Sequence, residues 1–269
     1  MKKTMAAGLM TALLTGALVV GAASGAQAAT TKAKTAKVTF TIAGAHSLIS
    51  GDVASITVKA TKKAKNAKVL VQKQSDESAW KTVSKLKLNK KGAVTAKLTV
   101  SGAGTINYRA VVKKTKTVKK STSKSVVLEQ QAWYPLSELS PVISTPGLLS
   151  GGSQEIAGVT YDDSLTLPID VTDGGSATYN LAYKCSSFSA HTGLSDLSTF
   201  PGTLSTNVSV DGKSLASGST TVGHATAYSV DTTGGFRLTL NGTVAGVTDA
   251  TQTVDSVWGD AEVLCSARP

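Results

Sequence analysis

The chain has few residues suited to covalent chemistry and many suited to holding a ligand. It has two cysteines, Cys185 and Cys265, and three histidines, His46, His191 and His224. It contains no G-x-S-x-G elbow, no H-E-x-x-H pair, no S-x-x-K set and no C-x-x-C redox spacing. Ser, Asp and His residues scattered through a Ser-rich chain do not make a triad. His191 follows Phe188-Ser189-Ala190 and reads as a surface or loop residue rather than a general base. Glycoside cleavage needs two carboxylates flanking the scissile bond, and no Asp or Glu stands out in a strand-end aromatic context. The expectation is a non-enzymatic binding protein, with no catalytic residue, no bound metal and no cofactor.

Two groups of side chains could hold ions. Lys59, Lys62, Lys63, Lys65 and Lys68 gather around one turn, and Lys113, Lys114, Lys116, Lys119 and Lys120 around another. One reading is a solvated surface whose lysines keep strand edges from pairing with other chains. The other is a face for a polyanion, with Lys62, Lys63, Lys65, Lys113, Lys114 and Lys116 as the candidate contacts. Outside a bacterium such an anion is a wall teichoic or teichuronic polymer, an acidic polysaccharide or a lipid head group. Nucleic acid is not expected, because no row of aromatics is interleaved with the lysines as stacking platforms. On the acidic side, Asp162, Asp163, Asp170 and Asp173 could supply hard oxygen ligands to Ca²⁺. Their spacing fits no EF-hand, and solvated loop acids are the plainer reading.

Where the protein works is suggested by its first residues. Lys2 and Lys3 precede an apolar stretch from about Met5 to Val20, followed by Ala26-Gln27-Ala28. This is the three-part pattern of a secretory signal peptide, expected over residues 1–28. The apolar run is too short, and too interrupted by Thr11, Thr15, Gly16 and Gly21, to serve as a membrane span. The expected location is secreted and extracellular, with association to the cell wall. In that compartment an even number of cysteines reads as one disulfide, Cys185–Cys265.

The charge is unevenly distributed. The net charge is +11, yet residues 30–128 carry 22 Lys and Arg against three acids, a net of +19. Residues 129–269 carry four basic residues, Lys184, Lys213, Arg237 and Arg268, against 14 acids, a net of −10. The switch marks a domain boundary near residues 128–133. The expected organisation is a basic linker over 29–36, a basic β-sandwich over 37–128 and an acidic β-sandwich over 129–269.

Period-2 alternation supports all-β modules. In the basic half Val38, Phe40 and Ile42 alternate with threonines, Ile56, Val58 and Ala60 follow, and Asn89-Lys90-Lys91-Gly92 reads as a turn before Val94, Ala96, Leu98 and Val100. Ile106, Tyr108, Ala110 and Val112 form a further strand, and Val126 and Leu128 close the set. Seven or eight short strands in about 95 residues have the rhythm of an immunoglobulin-like sandwich. In the acidic half Tyr179, Leu181, Tyr183 and Cys185 share one expected strand face, and Phe236, Leu238 and Leu240 another. Val208-x-Val210 runs into Asp211-Gly212, a two-residue hairpin signal. Ala261, Val263 and Cys265 share a face of the last strand, so the two cysteines are expected on neighbouring strands.

Two resemblances sharpen this reading. Val69-Leu70-Val71-Gln72-Lys73, Ala79-Trp80-Lys81-Thr82-Val83, Gly92 and Gly104-Thr105-Ile106-Asn107-Tyr108-Arg109-Ala110 resemble the immunoglobulin-like or fibronectin-type-III-like modules of secreted actinobacterial proteins. Tyr108 then falls where such modules place a tyrosine-corner residue. Leu136-Ser137-Glu138-Leu139, Gly158-Val159-Thr160-Tyr161, Ala177-Thr178-Tyr179-Asn180-Leu181, Gly193-Leu194-Ser195-Asp196, Val208-Ser209-Val210-Asp211-Gly212-Lys213 and Trp258-Gly259-Asp260-Ala261 are similar, in order and spacing, to the NPCBM family. That resemblance implies a galactose-binding-like jelly roll that binds carbohydrate. The G-x-x-x-H element usual after the first tyrosine is missing from Tyr161-Asp162-Asp163-Ser164-Leu165-Thr166-Leu167-Pro168, which implies a changed sugar specificity or none.

A sugar site pairs an aromatic face with carboxylate, amide or Arg groups for the hydroxyls. Trp258, opening the last strand, reads as core packing. Tyr161, flanked by Asp162 and Asp163, is the candidate exposed aromatic. The expected function is a secreted non-catalytic protein whose C-terminal module binds a glycan, the basic module serving as spacer or contact to an anionic wall polymer. The alternative is a structural or adhesive surface protein without sugar specificity, whose opposite charges associate head to tail.

Overall fold

The computed structural model describes residues 33–44, 48–75, 78–147, 149–246 and 253–269. The expected signal peptide and the first part of the expected linker lie outside these residues. The structure is all-β, with strands organised into sandwich sheets and two single-turn 3₁₀ segments at Lys62–Ala64 and Leu136–Glu138. No helix among the described residues is long and apolar enough to cross a membrane.

The first sandwich uses β1 (Val38–Ile42), β2 (Leu48–Ile49), β3 (Val53–Ala60), β4 (Lys68–Ser75), β5 (Lys81–Lys87), β6 (Ala93–Thr99), β7 (Gly104–Val112), β8 (Ser121–Thr122) and β9 (Val126–Pro135). One sheet runs β1-β3-β6 and the facing sheet runs β5-β4-β7-β9, with short β2 added parallel to β9. Alternation sets the faces: Val38, Phe40 and Ile42 are buried while Thr39 and Thr41 point to solvent. The core gathers Ile56, Val58, Val69, Val71, Leu98, Ile106, Tyr108 and Leu128. Tyr108 is buried, and its hydroxyl donates to Oε1 of Gln130 at 3.1 Å, while Nε2 of Gln130 reaches the carbonyls of Ser101 and Gly102 at 3.3 Å. The tyrosine is thus tied to the chain upstream through a glutamine on β9. The end of the expected linker is also held down: Lys34 bridges Val118, and Ala36 is buried.

The second sandwich uses β10 (Ile143–Thr145), β11 (Leu149–Ile156), β12 (Val159–Asp170), β13 (Gly175–Asn180), β14 (Cys185–Leu194), β15 (Thr203–Val210), β16 (Lys213–Thr220), β17 (Ala225–Asp231), β18 (Arg237–Ala245) and β19 (Thr253–Cys265). One sheet has the order β10-β13-β18-β15-β16. In the other, β11-β12-β19 continues through β14 to β17. Its core holds Leu165, Leu167, Tyr179, Phe188, Leu204, Leu238, Leu240 and Trp258. Trp258 is fully buried and stacks on Tyr228 at 5.8 Å between ring centroids, as its core reading requires. Asp211 and Gly212 take φ of 50° and 80°, the left-handed pair that a tight hairpin demands.

β9 belongs to both sandwiches. Its first half pairs with β7, from Tyr108↔Val126 to Gly104↔Gln130, and its second half pairs with β19, from Cys265↔Ala132 to Glu262↔Pro135. The charge boundary at residue 128 therefore falls inside a strand. After Trp133 only Tyr134 and Pro135 continue that strand; the 3₁₀ turn Leu136–Glu138 follows, with Leu136 fully buried in the second core.

Candidate carbohydrate-binding surfaces

Tyr161, the expected exposed aromatic, is instead buried, with only 7% of its surface open. The reason is local. β12 leaves the ladder with β19 after Leu165↔Trp258, and the β11–β12 hairpin folds over the sheet. Ile156, Tyr161 and Val257 form a small separate cluster, and the Tyr161 ring lies directly on Gly259, where any side chain would collide with it. His191 packs beside it at 5.2 Å between ring centroids. That histidine is a strand residue of β14 rather than a loop residue, and its Nδ1 is buried without a hydrogen-bond partner. Asp196 fastens the hairpin by accepting from the amides of Ala157 and Gly158 at 2.8 and 2.7 Å.

Asp162 and Asp163 are exposed, and Oδ1 of Asp162 accepts from Ser153 Oγ at 3.4 Å. Asp170 ends the same strand, seven residues beyond Asp163, or roughly 23 Å along an extended chain. Its Oδ1 accepts from the Thr172 hydroxyl and from the amides of Thr172 and Asp173, which hold its pKa below the ordinary carboxylate value. Asp162 and Asp163 thus lie towards one end of β12, Asp170 at its other end and Asp173 in the turn beyond, and the four cannot share a calcium ion. Where β12 and β9 part along β19, Asp163, Asp260 and Glu262 line a hollow of about 220 Å³. Partial burial, then the charges of Asp260 and Asp163, raise the pKa of Glu262. Among the described residues no group of His, Cys, Asp or Glu is arranged to hold a metal.

A larger hollow of about 450 Å³ lies where residues 195–201 cross the end of β19, lined by Gln154, Ser195, Leu197, Phe200 and Asp255 among others. Leu197 stands almost fully exposed on its rim.

An aromatic surface that alternation does not reveal lies at another turn. Tyr183 was expected on a buried strand face with Tyr179 and Leu181, but β13 ends at Asn180 and the chain turns over residues 181–184. Ala182 and Tyr183 take φ of 50° and 61°, a left-handed conformation uncommon for residues other than glycine. The turn throws the ring outward, leaving Tyr183 67% exposed. It lies 5.1 Å from the partly buried Phe236 ring, tilted by 34°, and the Arg237 guanidinium sits 5.6 Å from the same ring. The turns are locked together. The amides of Leu181 and Ala182 donate to Phe236 O and that of Tyr183 to Gly235 O. The Asp211 carboxylate accepts from the amides of Phe236 and Arg237 at 2.9 and 2.8 Å. This is a rigid, open aromatic face bordered by polar groups, the geometry that stacks on the C–H side of a pyranose.

On the first sandwich the structure brings the two lysine turns together. Thr117 Oγ1 donates to Lys63 O at 3.0 Å, the Lys113 amide donates to Lys68 O at 2.9 Å, and Lys34 bonds across to Thr117 and Lys119. Lys62, Lys63, Lys65, Lys113, Lys114 and Lys116 are all exposed on this one end, beside a hollow of about 350 Å³ lined by Lys34, Lys62 and Lys63.

Cys185 and Cys265 are bridged, as expected. The architecture defines a class: paired β-sandwiches, the second with an open aromatic surface. The model of the NPCBM/NEW2 domain matches residues 124–264, and the chain belongs to this family. Among solved structures the chain is similar to CBM51 from Clostridium perfringens GH95 in complex with methyl-galactose, at 17% identity over 49% of this chain and 99% of that one, with a TM-score of 0.41. It is also similar to the CBM51-2 and INT domains of Clostridium perfringens ZmpB, at 13% identity over 84% of this chain, with a TM-score of 0.43. The match spans about half, 48%, of the latter structure. No curated protein matches the sequence.

Proposed function

We propose that this is a secreted, non-catalytic carbohydrate-binding protein with two binding modules. The observation that carries the reading is an open aromatic platform, Tyr183 on Phe236, within a domain of the NPCBM/NEW2 family. The leader-like pattern of residues 1–28 and the Cys185–Cys265 bridge support export to an oxidising compartment. The lack of any catalytic motif supports binding without turnover. Residues 37–128 would form the basic immunoglobulin-like module of actinobacterial type and residues 129–269 the sugar-binding module.

In this reading the basic module is a spacer that also grips an anionic wall polymer. Its support is the convergence of Lys62, Lys63, Lys65, Lys113, Lys114 and Lys116 on one end, with no ion pair to any of them among the described residues. Attraction of this kind is screened over about 10 Å at 0.1 M salt. The test is a glycan array together with sedimentation of the purified mature chain with bacterial cell walls, at low and high salt. Glycan binding that persists in high salt is expected, with the wall-bound fraction falling as salt rises. Failure to bind any glycan would remove the carbohydrate assignment. Self-association at low salt without glycan binding would favour a structural surface protein held by its opposite charges.

A further inference from the structure

We propose that the platform formed by Tyr183 and Phe236 binds a sugar bearing a carboxylate, such as a uronic acid residue of an acidic polysaccharide, with Arg237 and Lys184 reading the charge. The inference rests on the carbohydrate reading above and adds the class of sugar.

Charge placement carries it. Residues 129–269 are strongly acidic, with only four basic side chains among 14 acids. One of the four, Arg268, is already paired with Glu138 at 3.3 Å. The other three lie in or beside the aromatic turns. Lys184 follows Tyr183, Arg237 follows Phe236, and Lys213 follows the Asp211-Gly212 turn whose carboxylate fastens Phe236. None of the three is in an ion pair among the described residues. Two acids share this end. Asp211 has both oxygens engaged by the amides of Phe236 and Arg237, and Asp231 accepts from the Thr233 amide at 2.8 Å. A neutral sugar would need no cations here, and an unpaired guanidinium beside an open ring suits a planar carboxylate.

Backbone geometry supports the same site. Two successive non-glycine residues in the left-handed region cost of order 1–3 kcal/mol each, and such conformations gather where a surface is shaped for function. Here they turn a tyrosine away from the core and into solvent beside a second ring. The outward face of the adjoining sheet adds uncharged partners for hydroxyls. Asn180 lies opposite Arg237 across β13 and β18, and Thr178 and Thr239 follow at 3.0 Å between hydroxyls. A pyranose ring on Tyr183 would thus meet cations at its rim and amide and hydroxyl groups beyond.

The experiment is calorimetric titration of the full mature chain with methyl glucuronide and methyl galacturonide, and with the matching neutral methyl glucoside and methyl galactoside, at 0.15 M salt. The uronides are expected to bind at least tenfold more tightly than their neutral counterparts. Arg237→Gln and Lys184→Gln should each lose most of that preference. Tyr183→Ala should abolish binding of both kinds, and Tyr183→Phe should keep it, which separates a lost ring from a misfolded turn. Lys62→Gln combined with Lys113→Gln should leave uronide binding intact. Equal binding of neutral and acidic sugars, lost in Tyr183→Ala, would overturn the carboxylate assignment and keep the carbohydrate one. Uronide binding that survives Tyr183→Ala would place the site elsewhere and also overturn it. No binding of any of the four sugars would overturn the carboxylate assignment, and the glycan array then decides the carbohydrate one.

Discussion

Cys185 and Cys265 face each other directly across antiparallel strands β14 and β19, and Cys265 in turn faces Ala132 on β9. The bridge therefore lies beside the strand shared by the two sandwiches. It closes a loop of 80 residues. In the chain-entropy account that closure is worth roughly 4 kcal/mol against the unfolded state. Reduction, or Cys185→Ser with Cys265→Ser, should lower the thermal midpoint by several degrees. Calorimetry with and without reductant, and non-reducing mass spectrometry showing no free thiol, check this.

Tyr161 and Gly259 make a second close pair. Adding one methyl group at residue 259 drives it into the tyrosine ring. Gly259→Ala should cost about 1–3 kcal/mol through overpacking. Denaturant unfolding should show that cost, and Tyr161→Ala in the same chain should remove part of the added penalty.

The buried bond between Tyr108 and Gln130 is a test of coupling across the first sandwich. Gln130→Leu leaves the tyrosine hydroxyl without its partner in the core and should cost about 1–3 kcal/mol. Tyr108→Phe should cost less when made on top of Gln130→Leu than when made alone. A double-mutant cycle with no coupling would contradict the bond.

Glu262 gives a pH dependence with a definite sign. Partial burial, with Asp260 and Asp163 beside it, holds its folded pKa above the ordinary 4.5. The folded state then binds the proton more tightly than the unfolded state, so the group favours folding when protonated and costs stability as pH rises through its folded pKa. Glu262→Gln should therefore raise the melting midpoint at neutral pH. The advantage should shrink as the pH falls and vanish below about 4.5, where the wild-type group is protonated in both states. Melting curves from pH 3 to 8 would read it, and an equal gain at every pH would argue against the shift.

Much of the fold was legible because alternation reports burial directly. Val38, Phe40 and Ile42 could only face one way, and Asp211-Gly212 could only be a tight turn. The bridge followed from two cysteines ending apolar strand faces. The ligand surfaces were less legible. Tyr183 continues a period-2 pattern with Tyr179 and Leu181, and nothing in the residue types announces that Ala182 and Tyr183 turn left-handed. Tyr161 with its flanking aspartates reads as an exposed aromatic, because the folding-over of the β11–β12 hairpin that buries it is a tertiary event. The lysine turns are some 50 residues apart, and only the pairing of β4 with β7 brings them side by side. Gln130 carried no local sign of its bond to Tyr108.

The shared strand β9 has a consequence for anyone who would separate the modules. A cut at residue 128 strips the first sandwich of Gln130 and of the partner for Gly104. A cut after Pro135 instead leaves residues 262–265 of β19 with an open edge. No severance point gives two whole halves. Because strand side chains alternate, a single residue inserted into β9 would also shift one module's inward face outward relative to the other's. Any division of the chain must therefore replace part of β9 on one side or the other.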